Sequence, residues 1–143
     1  MLIEFDFLAV LREWPLLLRG VVWTIGLTAI ATVIGMVVGV ACAWARASGP
    51  GWLRWVVGSY VELIRNTPFI VQLFFIFFGL PAAGVKLSPE LASVITMVMN
   101  LGAYATEIIR AGIEATPRGQ VEAAMSLALS RAQTFIRVIL PPA

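Results

Sequence analysis

The sequence predicts an all-α integral membrane protein: three transmembrane helices followed by a cytoplasmic helix-turn-helix segment. Composition is the first reason. Of 143 residues, 60% are hydrophobic and only 13% are charged, and the mean hydropathy is +0.94. A soluble domain carries about 25% charged and roughly 45–50% apolar residues. A soluble fold of this length could not hide so much apolar surface, whereas lipid is a solvent for it. The second reason is a series of uncharged runs long enough to cross a bilayer. The third is the polar, arginine-bearing stretch that follows them.

Composition also excludes functions. A net charge of +2 is too small to suggest nucleic acid. Histidine is absent, which removes the commonest general base and metal ligand. The single Cys42 cannot form an intramolecular disulfide, and it lies in an apolar run as a small packing residue.

The first span, about residues 20–45, holds no charge and is bracketed by Arg19 and Arg46. Crossing the hydrocarbon core takes roughly 20 apolar residues. The run is too long for a cleavable signal, and the chain start, with Glu4 and Asp6, is acidic. The second span, about residues 52–80, is expected to be one long helix kinked at Pro68. The third, about residues 91–109, reaches spanning length with Glu107 near the interface.

Lys and Arg in short loops set orientation. Arg46 and Arg54 follow the first span, Lys86 alone follows the second, and Arg110, Arg118, Arg131 and Arg137 follow the third. The N-terminus is therefore expected outside, with residues 110–143 cytoplasmic. Trp14 and Trp23 suit the outer interface, and Trp44, Trp52 and Trp55 the inner one.

Within the first span, Thr24, Thr28, Thr32, Gly35 and Gly39 form a stripe of small side chains. Gly35 and Gly39 allow close approach of a neighbouring helix, either inside one subunit or in a dimer. Phe74, Phe75, Phe77 and Phe78 read as lipid-facing or core bulk. Charges inside spans are expensive and commonly functional. Glu62 with Arg65, and Glu107 with Arg110, share a spacing of three, so each pair can neutralise itself on one helix face. They read as structural ion pairs or as the polar wall or gate of a translocation path. Asn66, Thr67, Pro68, Gln72 and Asn100 extend the second reading. Pro68 leaves a carbonyl one turn earlier without its helical donor, and such groups are tolerated where they line a cavity or protein interior.

Residues 115–142 differ in character. Thr116 reads as an N-cap with Pro117 at the first helical position. Ser130 and Gln133 have capping-box spacing, so a second helix should begin at Arg131 and stop before Pro141. The result is an elbow too polar to span and too short to be a domain. Docking on a soluble partner is the role that fits.

On this elbow the sequence resembles a known family. Glu122-Ala123-Ala124, then Ala128, Val138, Leu140 and Pro141 at their spacing, resemble the EAA loop of ABC-importer permeases. Residues 64–81 and 102–114 resemble the polar amino-acid branch, the histidine- and glutamine-type permeases. With Thr24 to Thr28, the likeness runs from about Val22 to Ala143 in three matches in the same order. It implies a single ABC-importer transmembrane domain over residues 1–143, in the bacterial inner membrane. It also implies a cytoplasmic ATPase that binds ATP and Mg, an extracytoplasmic solute-binding protein, and a second permease copy or paralogue. The elbow would be the coupling loop, with Glu122 as the charged contact to the ATPase and Ala123 and Ala124 as its small face. This chain has no Gly-Lys-Ser or Gly-Lys-Thr of a phosphate-binding loop, so no cofactor is expected in it and hydrolysis is assigned to the partner.

Two departures carry expectations. The family usually has glycine where this chain has Ala128, so the turn should be strained by roughly 1 kcal/mol. The family also continues with further spans, usually two, so the chain is expected to be incomplete at its C-terminus. Competing readings are a non-transporting membrane fragment and an ATP-independent transporter. An intramembrane enzyme ranks last, for lack of histidine or a nucleophile beside a base.

Overall fold

The computed structural model describes residues 7–139 and residue 141. A short helix, α1 (Phe7–Arg12), leads into α2 (Trp14–Ser48), whose first turn carries Pro15 where its missing N–H costs nothing. At about 1.5 Å per residue, the stretch from Arg19 to Arg46 is ~40 Å long. That matches the ~40–45 Å of a bilayer with its headgroups. The helix therefore outruns the uncharged stretch at both ends, because arginine stems can lie along it while their heads reach the interface. It stops at Gly49, whose N–H donates to the Ala45 carbonyl at 2.8 Å. A Cβ on Gly49 would meet that same oxygen at 2.3 Å, so glycine is required here.

The middle of the chain departs furthest from expectation. In place of one kinked helix there are α3 (Gly51–Arg65) and α4 (Phe69–Phe74), and the segments on either side of the break are bent by 107°. Pro68 is extended (φ −57°, ψ 139°) and cannot donate to the Ile64 carbonyl. Proline also pushes the residue before it out of the helical region. The two effects together give a full break. The second arm continues as a π-helical stretch, Phe75–Gly79, and one more turn, α5 (Leu80–Ala82).

After Gly84, at φ +94°, the chain enters α6 (Pro89–Ala115), capped by Ser88 Oγ accepting from Leu91 N–H at 3.2 Å. The elbow follows as α7 (Arg118–Ser126) and α8 (Arg131–Thr134). The capping box is formed: Ser130 Oγ accepts from Gln133 N–H at 3.3 Å, and Gln133 Oε1 accepts from Ser130 N–H at 2.9 Å. Two details differ from the sequence reading. Pro117 is the cap of α7, with Arg118 its first residue. The second elbow helix turns π-helical over Phe135–Ile139. Both π-helical stretches lie just ahead of a proline, Pro81 and Pro141. Proline removes the donor that would close the α ladder there, and a widened turn accommodates the shifted register.

The bundle is held by α2 against α6. Ala31, Gly35, Gly39 and Ala43 are buried at four-residue spacing on α2. A Cβ on Gly39 would stand 2.5 Å from the Ala105 Cβ, and one on Gly35 3.0 Å from Leu101. Gly35 and Gly39 of the expected stripe are thus covered by α6 within this chain, whereas Thr24, Thr28 and Thr32 are exposed and the buried line runs through Ala31 and Ala43 instead. Helix α3 lies across both, burying Val57, Val61 and Ile64 with Ala45 and Ala103. Tyr60 Oη donates to the Met99 carbonyl at 2.6 Å and ties α3 to α6. Phe74, Phe75 and Phe78 remain exposed, as expected of side chains bathed in lipid.

Candidate functional site

The polar residues gather into two clusters and the elbow. The first cluster sits at the break. Gln72, only 6% exposed, donates from Nε2 to the carbonyls of Ile64 at 2.8 Å and Thr67 at 2.7 Å. Its Oε1 accepts from Asn100 Nδ2 at 3.3 Å. The Ile64 carbonyl, which has lost its helical donor to Pro68, accepts from Thr67 N–H at 3.3 Å as well, and Gln72 links it to α6. Asn66 Nδ2 donates to the Glu62 carbonyl at 2.8 Å, and Thr67 Oγ1 to the Leu63 carbonyl at 2.7 Å, closing the end of α3.

The two equally spaced charge pairs behave differently. Arg65 lies with its guanidinium 5.6 Å from the centre of the Tyr104 ring, a cation–π distance. Glu62 is exposed, and no ion pair joins it to Arg65 among the described residues. The expected mutual neutralisation is not formed there, because Arg65 leans toward α6.

Glu107 does pair with Arg110, and it forms the centre of the second cluster. Arg46, from the last turn of α2, donates to Glu107 Oε2 at 2.9 Å. Arg110 also reaches Glu114 one turn on. Two arginines thus face two carboxylates, and the group is neutral as a whole. The sequence reading missed Arg46, Tyr104 and Glu114 as members. Arg46 closing the uncharged run opposite Glu107 was the available signal, but pairing it required knowing how α2 and α6 align.

On the elbow, Glu122 and Ala123 are exposed and Ala124 is 3% exposed. Helix α7 packs against both α8 and the π-helical stretch Phe135–Ile139. Ala128 sits at φ +55°, the left-handed conformation in which glycine would be unstrained. Pro141 is exposed in a turn. Leu140, the remaining loop residue of the sequence reading, lies outside the described residues.

Residues 31–143 match the family described as binding-protein-dependent transport system inner membrane component. The L-cystine transport system permease protein TcyB of Bacillus subtilis (strain 168) is 46% identical over 130 residues, covering 91% of this chain and 56% of the relative. The glutamine transport system permease protein GlnP of Escherichia coli (strain K12) is 38% identical over 141 residues, covering 96% of this chain and 64% of the relative. The crystal structure of an amino acid ABC transporter with histidines superposes with a TM-score of 0.85 at 38% identity, over 98% of this chain and 65% of that one. The inward-facing MetNI methionine ABC transporter, at 22% identity and a TM-score of 0.74, shares the fold. The chain thus spans somewhat over half the length of the relatives it matches. A family match across residues 31–143, with the helix order and elbow seen here, means that this membrane protein belongs to the binding-protein-dependent transport system inner membrane component family.

Proposed function

We propose that this chain is part of the permease subunit of an ATP-driven importer that moves polar amino acids across a bacterial inner membrane, with the elbow coupling it to a separate ATPase. The observation that carries the reading is the elbow itself. It is a pre-formed two-helix unit with its capping box closed, Ala124 packed inward, and Glu122 and Ala123 facing out. Such a unit offers a soluble partner one carboxylate and a small-residue surface for close approach. Helix α7 packs on α8 and on the π-helical stretch, so the two arms of the elbow hold each other and can answer a push on α7 as one unit.

In this reading the N-terminus lies outside and residues 110–143 lie in the cytoplasm. ATP and Mg are bound by the partner, and a solute-binding protein delivers substrate from the other side. The bundle is completed by a second permease copy or paralogue. Glu62, Arg65, Asn66, Thr67, Pro68, Gln72, Asn100 and Glu107 border or brace the path. The substrate class rests on the names of the relatives, which are systems for cystine, glutamine and arginine.

The test is to tag the protein in its host, extract it in mild detergent and identify what copurifies. A cytoplasmic ABC ATPase should accompany the wild type and be lost on Glu122→Arg, while Glu62→Arg should retain it. An absent ATPase, or one indifferent to Glu122→Arg, overturns the assignment of the elbow.

A further inference from the structure

A cavity of about 480 Å³ opens between the α2–α3 turn and the second half of the elbow. It is lined by Ser48, Arg54, Arg131 and Thr134, with Met125 and Phe135 among its apolar walls. We propose that it binds the phosphate of an anionic phospholipid headgroup, with the apolar wall taking the start of the acyl chains.

Charge is the first argument. The neighbouring ion cluster is already balanced, Arg46 and Arg110 against Glu107 and Glu114. Arg54 and Arg131 make no ion pair among the described residues, so the cavity presents two positive charges with no carboxylate on them. Two guanidinium groups suit a phosphate, which each can grip through two parallel N–H bonds.

The cavity wall also holds an orphaned hydroxyl. Thr134 is 4% exposed, and its Oγ1 is a buried side-chain polar atom with no hydrogen-bond partner among the described residues. Buried hydroxyls almost always have a partner. A phosphate oxygen in the cavity would supply one.

The depth of the cavity fits as well. Trp44, Trp52 and Trp55 are exposed on the same ends of α2 and α3, and exposed tryptophans gather at the headgroup level of a bilayer. Basic pockets between helices at that level are where acidic headgroups bind. A phospholipid fits better than a soluble phosphate, because part of the lining is apolar and would stay wet around a small anion.

The inference stands on the packing of this chain and does not depend on the ATPase. It is tested by native mass spectrometry of the purified chain in mild detergent, with phosphatidylglycerol, phosphatidylcholine or inorganic phosphate added separately. Phosphatidylglycerol should be retained over phosphatidylcholine. At about fivefold per arginine near a headgroup, Arg54→Gln with Arg131→Gln should lower its retention by about 25-fold. Arg118→Gln with Arg137→Gln, the same change in net charge elsewhere, should leave it within about twofold. If the double variant does not fold, Arg131→Gln alone should show the fivefold loss. Thr134→Val, which keeps the shape, should weaken phosphatidylglycerol retention without loss of thermal stability. Equal retention of the two lipids, or equal losses in both double variants, overturns the proposal. Displacement of phosphatidylglycerol by inorganic phosphate overturns the lipid as source and leaves a soluble phosphate site.

Discussion

Gln72 Nε2 donates at 2.8 Å to the main-chain carbonyl of Ile64, the oxygen that Pro68 leaves without its helical partner. Together with Thr67 N–H, which donates to the same oxygen at 3.3 Å, this side chain makes up for the donor lost four residues before it. It does so from a position 6% exposed, and it links the repair to Asn100 on α6. The Ile64 and Thr67 carbonyls at the break thus both have a side-chain donor, the kind of partner that irregular backbone at membrane depth needs.

Gln72→Leu should therefore destabilise the chain more than its volume change suggests. It leaves the Ile64 and Thr67 carbonyls without their side-chain donor, for a loss of about 1–3 kcal/mol. Thr24→Val also removes a side-chain to backbone bond, but from an exposed position, and should stay within about 0.5 kcal/mol. Unfolding in detergent, run on both, decides; equal effects would mean that the joint is held by packing alone.

Gly39 and Ala105 should behave as a complementary pair. An alanine at 39 brings two methyl carbons to 2.5 Å, so α2 and α6 must part. Gly39→Ala should cost about 1–3 kcal/mol. Adding Ala105→Gly should return most of it, because the lost methyl vacates the clash. Gly26, with nothing within 4 Å of an added Cβ, should accept alanine with a gain of up to about 1 kcal/mol. A double variant no better than Gly39→Ala would show that the contact at 39 is not what sets the helix separation.

The two glutamates of equal spacing should separate cleanly. Glu107→Gln strips the shared carboxylate from Arg46 and Arg110, whose side chains are 25% and 28% exposed. The expected loss is about 1–3 kcal/mol, that of a charge-assisted hydrogen-bonding partner. Glu62→Gln touches an exposed residue outside any ion pair among the described residues and should stay within about 0.5 kcal/mol. Thermal unfolding of the two variants side by side is sufficient, and the reverse order would contradict the pairing seen here.

Ala128→Gly should stabilise the elbow. At φ +55° an alanine carries roughly 1 kcal/mol of strain that glycine does not. Glycine's greater freedom in the unfolded chain offsets part of that gain, so a rise of a few tenths to about 1 kcal/mol is expected. Amide exchange over Leu127–Ser130 should slow accordingly. Exchange that is unchanged or faster would remove strain at 128 as a property of the turn.

Much of this chain was legible before folding because its signals are local. The uncharged run between Arg19 and Arg46 determines a spanning helix, since lipid leaves the backbone no other partner than itself. Ser130 and Gln133 determine a helix start, because a capping box closes within four residues. Pro68 implies a kink, and Ala128 a strained turn, for steric reasons contained in a few bonds. What only the tertiary structure decided depends on how two helices align. Arg46 and Glu107 are 61 positions apart, and no spacing rule pairs them. Arg65 sits equally well near Glu62 by spacing, yet goes to Tyr104 because α6 lies beside it. Proline implied a kink, but the full break with its 107° bend, and Gln72 bridging Ile64 and Asn100 across it, belong to the tertiary structure. Sequence spacing governs what one helix does with itself. Which side chains meet between helices follows from the small stripe that lets α2 and α6 touch, and so from the packing.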